Sequence, residues 1–208
     1  MRPVLHVLAS HPAAVSMKLL FGCVARVRVL DREKAGRDGA FILVSNHISH
    51  FDPPILSSIL PRKIDWMAMA ELFPLPLVGA VLRTIDAFPA SRDRADRTTI
   101  RTAIERLKQG RIVGIFPEGG IRDGMRSLLE GAPIRPGAST LAQMVSVPIV
   151  PCVILGSDRF YAKASWIPWR RTPIWIAFGN PISPSTGLGK LLARENIRRE
   201  LTAAFQAL

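Results

Sequence analysis

The sequence predicts an α/β fold: a single domain with a mainly parallel central sheet flanked by helices. Three observations carry that expectation. Short continuous apolar runs, such as Ala40 to Ser45 and Ile112 to Phe116, have the length and composition of strands buried on both faces. These runs alternate with helical stretches throughout, the order expected of parallel strands joined by crossover helices. The chain has 208 residues, 48% of them hydrophobic, enough for one good core and too few for two full domains.

Each element has its own signal. Val24 to Leu30 alternates apolar and basic residues (Val24, Arg26, Val27, Arg28, Val29) and reads as an edge strand. Ala40 to Ser45 reads as a buried strand. Asp52-Pro53-Pro54 starts a helix, with Asp52 as N-cap and Pro53 at the first helical position, ending before Pro61. Lys63 to Ala70 is a strand and Leu75 to Arg83 a helix. Ile85 to Ala90 is short and extended, and Pro89 puts it at a sheet edge. Arg94 to Gln109 is the clearest amphipathic helix. Its apolar residues Ile100, Ala103, Ile104 and Leu107 follow the 3.6-residue period, and Gly110 closes it. Ile112 to Phe116 is a strand, Ser139 to Val145 a helix, and Val147 to Leu155 and Ile174 to Phe178 strands. Leu188 to the C-terminus is a charged amphipathic helix. The motif-bearing core runs from about residue 24 to 178, with residues 1–23 and 188–208 peripheral to it.

Charge narrows the partners. Lys and Arg number 28 against 16 Asp and Glu, a formal net charge of +12. The pI is near 11.1 and the mean hydropathy +0.21. The chain is too apolar for intrinsic disorder. A basic chain with positive hydropathy points to an acidic partner, either nucleic acid or an anionic membrane surface. Residues 3–9 are apolar but lack an A-x-A cleavage site, so no signal peptide is expected. No uncharged apolar window reaches 18 residues. Ala40 to Leu60 comes nearest and contains Asn46, His47, His50 and Asp52, so no spanning helix is expected. Cys23 and Cys152 lie far apart in apolar runs and read as buried free thiols.

Four constellations can carry chemistry. Ser45 to Asp52 follows a buried strand and precedes a helix, placing polar residues at the carboxyl end of a sheet strand, where α/β folds hold ligands. His47 and Asp52 are five residues apart, so the carboxylate can return to the imidazole and fix its tautomer. The other ring nitrogen is then left as a general base. No protein nucleophile accompanies them, so the substrate would supply the attacking hydroxyl. The same spacing also fits an Asp that only caps its helix and a His satisfied within the loop. His50 is a less well-placed second candidate.

The second constellation, Ile115 to Gly124, emerges on the same sheet edge. Gly119 and Gly120 expose backbone N–H groups, and Arg122 can clasp a phosphate. Glu118 fits as an acceptor for a substrate hydroxyl or as a holder of an arginine. A plain turn is the simpler reading of Gly-Gly after a strand. Third, Arg92, Arg94, Arg97, Arg101, Arg106, Lys108 and Arg111 form a basic run, read mostly as a solvated helix face. Arg92 and Arg94 precede that helix and can reach a phosphate. Fourth, Asp158 to Phe178 interleaves Arg159, Lys163, Arg170 and Arg171 with Phe160, Tyr161, Trp166, Trp169 and Trp175. That mixture suits a membrane interface or single-stranded nucleic acid. Trp175, within a strand, reads as core.

Taken together, these motifs resemble the glycerolipid acyltransferase family, which includes the 1-acylglycerol-3-phosphate acyltransferases. The family pattern Asn-His-x-x-x-x-Asp is matched by Asn46-His47-Ile48-Ser49-His50-Phe51-Asp52, and Phe-Pro-Glu-Gly by Phe116-Pro117-Glu118-Gly119. A Pro-x-Lys-x-Gly-Ala segment is similar to Pro133-Ile134-Arg135-Pro136-Gly137-Ala138, with Arg for Lys. Val147-Pro148-Ile149-Val150-Pro151 matches the last motif. The chain departs from the family in two places. Ser91 stands at the second motif's arginine, with Arg92 next to it, and Gly120-Ile121 replaces Thr-Arg after Phe-Pro-Glu-Gly.

The resemblance implies that His47 is the general base and that Asp52 orients it. Glu118, Gly119, Gly120, Arg122 and Arg92 would bind the acceptor's glycerol phosphate. It implies acyl transfer from an acyl-CoA or acyl-ACP thioester to a lysophospholipid hydroxyl, most simply 1-acyl-glycerol-3-phosphate giving phosphatidic acid. No cofactor or metal is needed, and no nucleic acid is expected. The protein would lie on an anionic membrane surface at the cytoplasmic face. A different lysolipid, an amino-lipid acceptor, or a basic single-stranded nucleic-acid-binding module are the alternatives.

Overall fold

The computed structural model describes residues 19–91, 97–184 and 190–208. Its centre is a seven-stranded sheet formed by β1 (Ala25–Leu30), β2 (Phe41–Ser45), β3 (Ile64–Met69), β4 (Phe88–Ala90), β5 (Ile112–Ile115), β6 (Ile149–Leu155) and β7 (Thr172–Phe178), in the order β1-β7-β6-β2-β5-β3-β4. Every neighbouring pair is parallel except β6 and β7. The α/β class and the mainly parallel sheet are as the sequence predicts. β1 and β4 lie at the two edges, where the alternating pattern and Pro89 put them.

β2 occupies the middle, and Phe41, Ile42, Leu43 and Val44 are all fully buried. Its residues alternate between two apolar layers. Phe41 and Leu43 pack with Ile55, Trp66, Val150 and Ile154 on one face. Ile42 and Val44 pack with Ala103, Val113, Leu141 and Leu201 on the other. The first face is covered by α1 (Asp52–Ile59), by residues near α2 (Pro76–Thr84), and by Phe160 and Trp166. The second is covered by α3 (Arg97–Lys108), α4 (Gly137–Val145) and α5 (Lys190–Ala207). Water is thereby excluded from both sides of β2, which is why its sequence is continuously apolar.

Several details differ from the sequence reading. The residue before α1 is Phe51, and Asp52 already lies inside the helix. Its carboxylate is used elsewhere, as described below. In α3, Thr99 is buried in place of Ile100, because its Oγ1 donates to the carbonyl of Pro89 at 2.9 Å and so ties the helix to β4. Arg106 and Arg111 are not part of a solvated face. Both reach Asp65 of β3, which has no exposed surface, at 3.1 and 2.5 Å. A carboxylate so deeply buried needs cations beside it. Cys152 is buried but Cys23 is exposed. Trp175 is 42% exposed, with the Arg28 guanidinium 4.6 Å above its ring. Leu188 and the residues 92–96, which include Arg92 and Arg94, lie outside the described residues.

The parallel pairing fixes which segments meet. β2, β3, β5 and β6 all point their carboxyl ends to one edge, and β7, being antiparallel to β6, starts there. The loops that follow Ser45, Met69, Ile115 and Leu155 therefore gather at one rim. The chain leaves β2 toward β3 on one side, and β6 lies on the other, so a crevice opens at this rim.

Candidate active site

The rim is built from the end of β2 outward. Asn46 is fully buried and stands where the next ladder pair would be. Its Nδ2 donates to the Ile154 carbonyl at 2.9 Å, and its Oδ1 accepts from the Ile154 N–H at 2.8 Å. The side-chain amide imitates a peptide, so the chain can leave the sheet without orphaning β6. Spacing alone did not reveal this role. The visible signal was an Asn directly after a buried strand.

His47 and Asp52 do meet. His47 Nδ1 lies 2.8 Å from Asp52 Oδ2. The carboxylate has no exposed surface and accepts three further bonds: the N–H groups of Ile48 and Ser49 at 2.8 and 2.9 Å on Oδ2, and the Ser157 hydroxyl on Oδ1. Asp52 thus caps the loop before its helix rather than the helix itself. With Nδ1 hydrogen-bonded to Asp52, Nε2 is left unprotonated in the neutral ring. Among the described residues Nε2 has no hydrogen-bond partner. The side chain of His47 is 15% exposed, so Nε2 can accept a proton from a molecule arriving at the crevice.

The imidazole is also held from below by rings. His47 stacks on Phe116 with centroids 4.0 Å apart at 16°, and Phe116 stacks on Trp66 at 4.7 Å and 5°. Trp66 is 2% exposed and needs Gly114 beneath it, since a Cβ there would lie 2.4 Å from Trp66 Cε3. The orientation of His47 is therefore anchored in the core through Phe116.

Among the described residues Glu118 holds backbone groups and meets no arginine. It is 6% exposed, and its Oε2 accepts from the His47 N–H at 2.6 Å. Its Oε1 accepts from the Leu128 N–H at 2.6 Å and lies 3.4 Å from the Ser127 hydroxyl. It is a brace between the β2 and β5 loops, because two buried backbone donors need an acceptor there. Burial pushes its carboxyl above the usual range, against the bonds from Leu128 and His47 that pull it down. Folding thus favours its protonated form. Its contribution to stability is full below the ordinary carboxylate range and falls as pH rises toward the raised value. Glu118→Gln keeps one acceptor but turns an NH2 toward one of the two backbone N–H groups. The expected cost is about 1–3 kcal/mol, with that pH slope removed. Urea unfolding of the variant across pH 4 to 8 checks both.

Gly119 has φ +71°, and a Cβ there would lie 2.6 Å from the Cζ of Arg135. Its missing side chain makes the seat for the Arg135 guanidinium. The Arg122 N–H donates to the His47 carbonyl at 2.9 Å, tying the two loops again, while among the described residues its guanidinium reaches only the Ile121 carbonyl, at 3.4 Å. Gly119 and Gly120 are half-buried. Among the described residues neither Arg122 nor Arg135 meets a carboxylate, so two cations flank the loop that touches His47. Arg135 was visible in the sequence only as a motif letter. Arg92 falls outside the described residues. His50 does not turn to Asp52: its backbone N–H and its Nδ1 both contact the Tyr161 hydroxyl, at 3.1 and 2.7 Å.

Sequence reasoning missed Ser157 and Trp66, and placed Tyr161 only in the basic aromatic segment, because each touches the site from a distant segment. Ser157 and Tyr161 belong to a run of three short 3-10 turns, Ser157–Tyr161, Lys163–Trp166 and Pro168–Arg170, which crosses the rim between β6 and β7. Phe160 and Trp166 in that run lie 5.0 Å apart and pack with Phe21 and Phe51 at centroid distances of 5.4 to 6.4 Å.

The acyltransferase family model matches residues 26–155. A 1-acyl-sn-glycerol-3-phosphate acyltransferase of Bacillus subtilis is 35% identical over 144 residues, which are 69% of this chain and 69% of that protein. The human 1-acyl-sn-glycerol-3-phosphate acyltransferase beta is 32% identical over 149 residues, 70% of this chain, which spans 51% of that protein's length. The crystal structure of the 1-acyl-sn-glycerophosphate acyltransferase PlsC of Thermotoga maritima superimposes with a TM-score of 0.69. It covers 100% of this chain and 83% of that one at 22% identity, a likeness of fold.

Proposed function

The chain belongs to the acyltransferase family, and we propose that within it this enzyme acylates the free hydroxyl of 1-acyl-glycerol-3-phosphate, giving phosphatidic acid. The observation that carries this reading is the His47 Nδ1 to Asp52 Oδ2 contact of 2.8 Å with Nε2 left open. The acceptor's hydroxyl donates to Nε2. As its oxygen attacks the thioester carbonyl carbon, the proton passes to Nε2, and the imidazolium faces the Asp52 carboxylate. The tetrahedral adduct then expels the thiolate of coenzyme A or of an acyl carrier protein. The thiolate takes the proton from Nε2, leaving an ester, a thiol and a neutral histidine. No cofactor or metal enters these steps.

Arg122 and Arg135 are the cations for the acceptor's phosphate, and Gly119 is the seat that lets Arg135 approach. Guanidinium groups without carboxylate partners suit a phosphate, which they bind bidentately. Glu118 contributes by holding the His47 backbone. Arg92 is a third candidate for the phosphate by its place in the motif. The reaction is read as taking place at an anionic membrane surface, on the cytoplasmic face, with nucleic acid having no part in it.

The test is a transfer assay of the purified chain with lysophosphatidic acid, lysophosphatidylcholine, lysophosphatidylethanolamine and an amino-lipid, each offered with acyl-CoA and with acyl-ACP. Turnover is expected with lysophosphatidic acid and at least one donor, and about tenfold or more below that for the zwitterionic acceptors, whose phosphodiester keeps one negative charge where the monoester has nearly two and has one oxygen fewer for the guanidinium groups, a difference of about 1.4 kcal/mol. Equal turnover of all acceptors would overturn the phosphate assignment. No turnover of any would overturn the acyl-transfer reading.

A further inference from the structure

We propose that His50 is a second catalytic residue: held by Tyr161 with its ring proton on Nε2, it donates a hydrogen bond to the thioester carbonyl oxygen as the acceptor attacks. The inference deepens the proposed function and rests on its acyl-transfer step.

Negative charge builds on the thioester oxygen in the transition state, and a preorganised donor aimed at that oxygen stabilises it. The backbone from His47 to Ile55 has no N–H left to give. The His47 N–H goes to Glu118, those of Ile48 and Ser49 to Asp52, and that of His50 to the Tyr161 hydroxyl. The Phe51 N–H donates to Ser49 Oγ at 3.1 Å, that of Asp52 to the Ser49 carbonyl at 3.1 Å, and that of Ile55 to the Phe51 carbonyl at 3.0 Å. Pro53 and Pro54 carry none, so the first turn of α1 is closed as a source. His47 cannot serve, because its Nε2 receives the acceptor's proton. Arg122 and Arg135 flank the β5 loop, where the acceptor's phosphate is read to lie.

The exposed ring of His50 is the donor this loop retains, and Tyr161 sets its tautomer. The phenol oxygen lies 3.1 Å from the His50 backbone nitrogen and 2.7 Å from Nδ1. The backbone N–H can only donate. The hydroxyl accepts from it and turns its own proton to Nδ1. Two N–H groups converging on one phenol oxygen would instead leave the hydroxyl proton without a partner among the described residues. With Nδ1 accepting, the neutral ring carries its proton on Nε2. Among the described residues that nitrogen meets no other group. The two histidines of one loop are thus set in opposite tautomers. Asp52 accepts from Nδ1 of His47 and leaves its Nε2 bare, while Tyr161 donates to Nδ1 of His50 and leaves its Nε2 protonated.

One turn fastens both rings. The 3-10 stretch Ser157–Tyr161 donates from its first residue to Asp52, the partner of His47, and holds His50 with its last. Four steps of about 2 Å put those anchors on the order of 8 Å apart. Tyr161 packs in turn on Phe51, with centroids 5.8 Å apart. Tyr161 comes from the segment after β6 and Arg122 from the loop after β5, and β2 lies between those strands. The phosphate cations and His50 therefore stand on the two sides of the β2 loop, which leaves the His50 side to the thioester. As the acceptor oxygen attacks, the carbonyl π pair moves onto the thioester oxygen, which the His50 Nε2–H holds without giving up its proton. The pair returns when the thiolate leaves. The proton that moves is the one His47 carries from acceptor to thiolate.

The experiment compares the full chain with His50→Ala, His50→Gln and Tyr161→Phe, using lysophosphatidic acid and whichever of acyl-CoA and acyl-ACP the parent accepts. His50→Ala should lower kcat about 10²-fold, the low end for a single oxyanion donor, with KM little changed, because the bond strengthens only in the transition state. His50→Gln, whose amide keeps an N–H at the end of the side chain, should regain about tenfold of that loss. Tyr161→Phe keeps the ring on Phe51 but frees the imidazole to turn, and should lower kcat severalfold. Both side chains are exposed, so melting temperatures should stay near the parent's. The tautomer is read from the ring nitrogens by 15N NMR. The chain has four histidines, and His50→Gln assigns the signals of His50 by their loss. The neutral ring should show Nε2 protonated and Nδ1 bare. A protonated Nδ1 overturns the proposal, as does His50→Ala with the parent's kcat, a loss confined to KM, or His50→Gln no faster than His50→Ala. If His50→Ala does not fold, the rate of Tyr161→Phe and the tautomer decide. A parent that transfers no acyl group sinks the acyl-transfer reading and this proposal with it, whereas an active parent with an indifferent His50→Ala sinks this proposal alone.

Discussion

His47→Ala is expected to lower kcat/KM for acyl transfer by ~10²–10⁴-fold while leaving the chain folded. The rate loss follows from removing the one group placed to take the acceptor's proton. The survival of the fold follows from how residue 47 is held. Its N–H donates to Glu118 and its carbonyl accepts from Arg122, and neither bond involves the ring. Asp52 keeps its bonds from Ile48, Ser49 and Ser157. What is lost structurally is the Nδ1 hydrogen bond to Asp52 and the stacking on Phe116, the latter worth about 0.5–1.5 kcal/mol for such ring pairs. A rate assay with a long-chain thioester, beside a thermal melt, checks both halves. A variant that folds and retains more than a tenth of the parent's rate would defeat the base assignment.

The parts legible in sequence were those whose signal is local. Strands such as Phe41–Ser45 announce themselves because both faces are dry, and the pairing of His47 with Asp52 was readable as one of two options because a turn of five residues can bring them close. Charge roles were less legible. Arg106 and Arg111 lie in a run that looks like a solvated helix face, but Asp65, more than 40 residues earlier, is buried and draws both of them in. Glu118 was illegible in part for a related reason. Its bracing of two backbone donors, His47 and Leu128, is a demand that only the packed loops reveal. Trp66, Ser157 and Tyr161 carry no motif. They reach the site because parallel strands bring their loops to one rim, and register over such distances is a tertiary property.

Two supports at the site are independent of each other. The ring stack from Trp66 through Phe116 fixes the plane of the imidazole from the core side, and Asp52 fixes its tautomer from the helix side. A general base needs both, because the hydroxyl must lie within hydrogen-bond reach of one ring nitrogen, and that nitrogen must be unprotonated. Glu118 adds a third restraint on the backbone. The geometry is thus set before the substrate arrives, and the cost of ordering it is met in folding rather than in the reaction.

Asp52→Asn separates charge from shape, and its expected effect is a ~10³-fold fall in kcat/KM with little change in stability. The asparagine oxygen can occupy the place of Oδ2, where it still accepts from Ile48, Ser49 and His47. Its NH2 then takes the place of Oδ1, and the Ser157 hydroxyl rotates to accept instead of donate. Loop, helix and imidazole tautomer are all retained. What disappears is the negative charge that faces the imidazolium formed as the acceptor attacks. At an effective dielectric of 20 and a separation of 4 Å, that attraction is about 4 kcal/mol, which corresponds to the ~10³-fold effect at 1.36 kcal/mol per decade. Asp52→Ala, by contrast, leaves two backbone donors unpaired and should cost about 1–3 kcal/mol of stability for each. The pair of variants distinguishes the two readings of this residue. If Asp52 were only a cap for its loop, Asp52→Asn would transfer acyl groups as fast as the parent, and only Asp52→Ala would fail. A parent-like rate for the asparagine variant, measured with the melting temperature unchanged, would remove Asp52 from the chemistry.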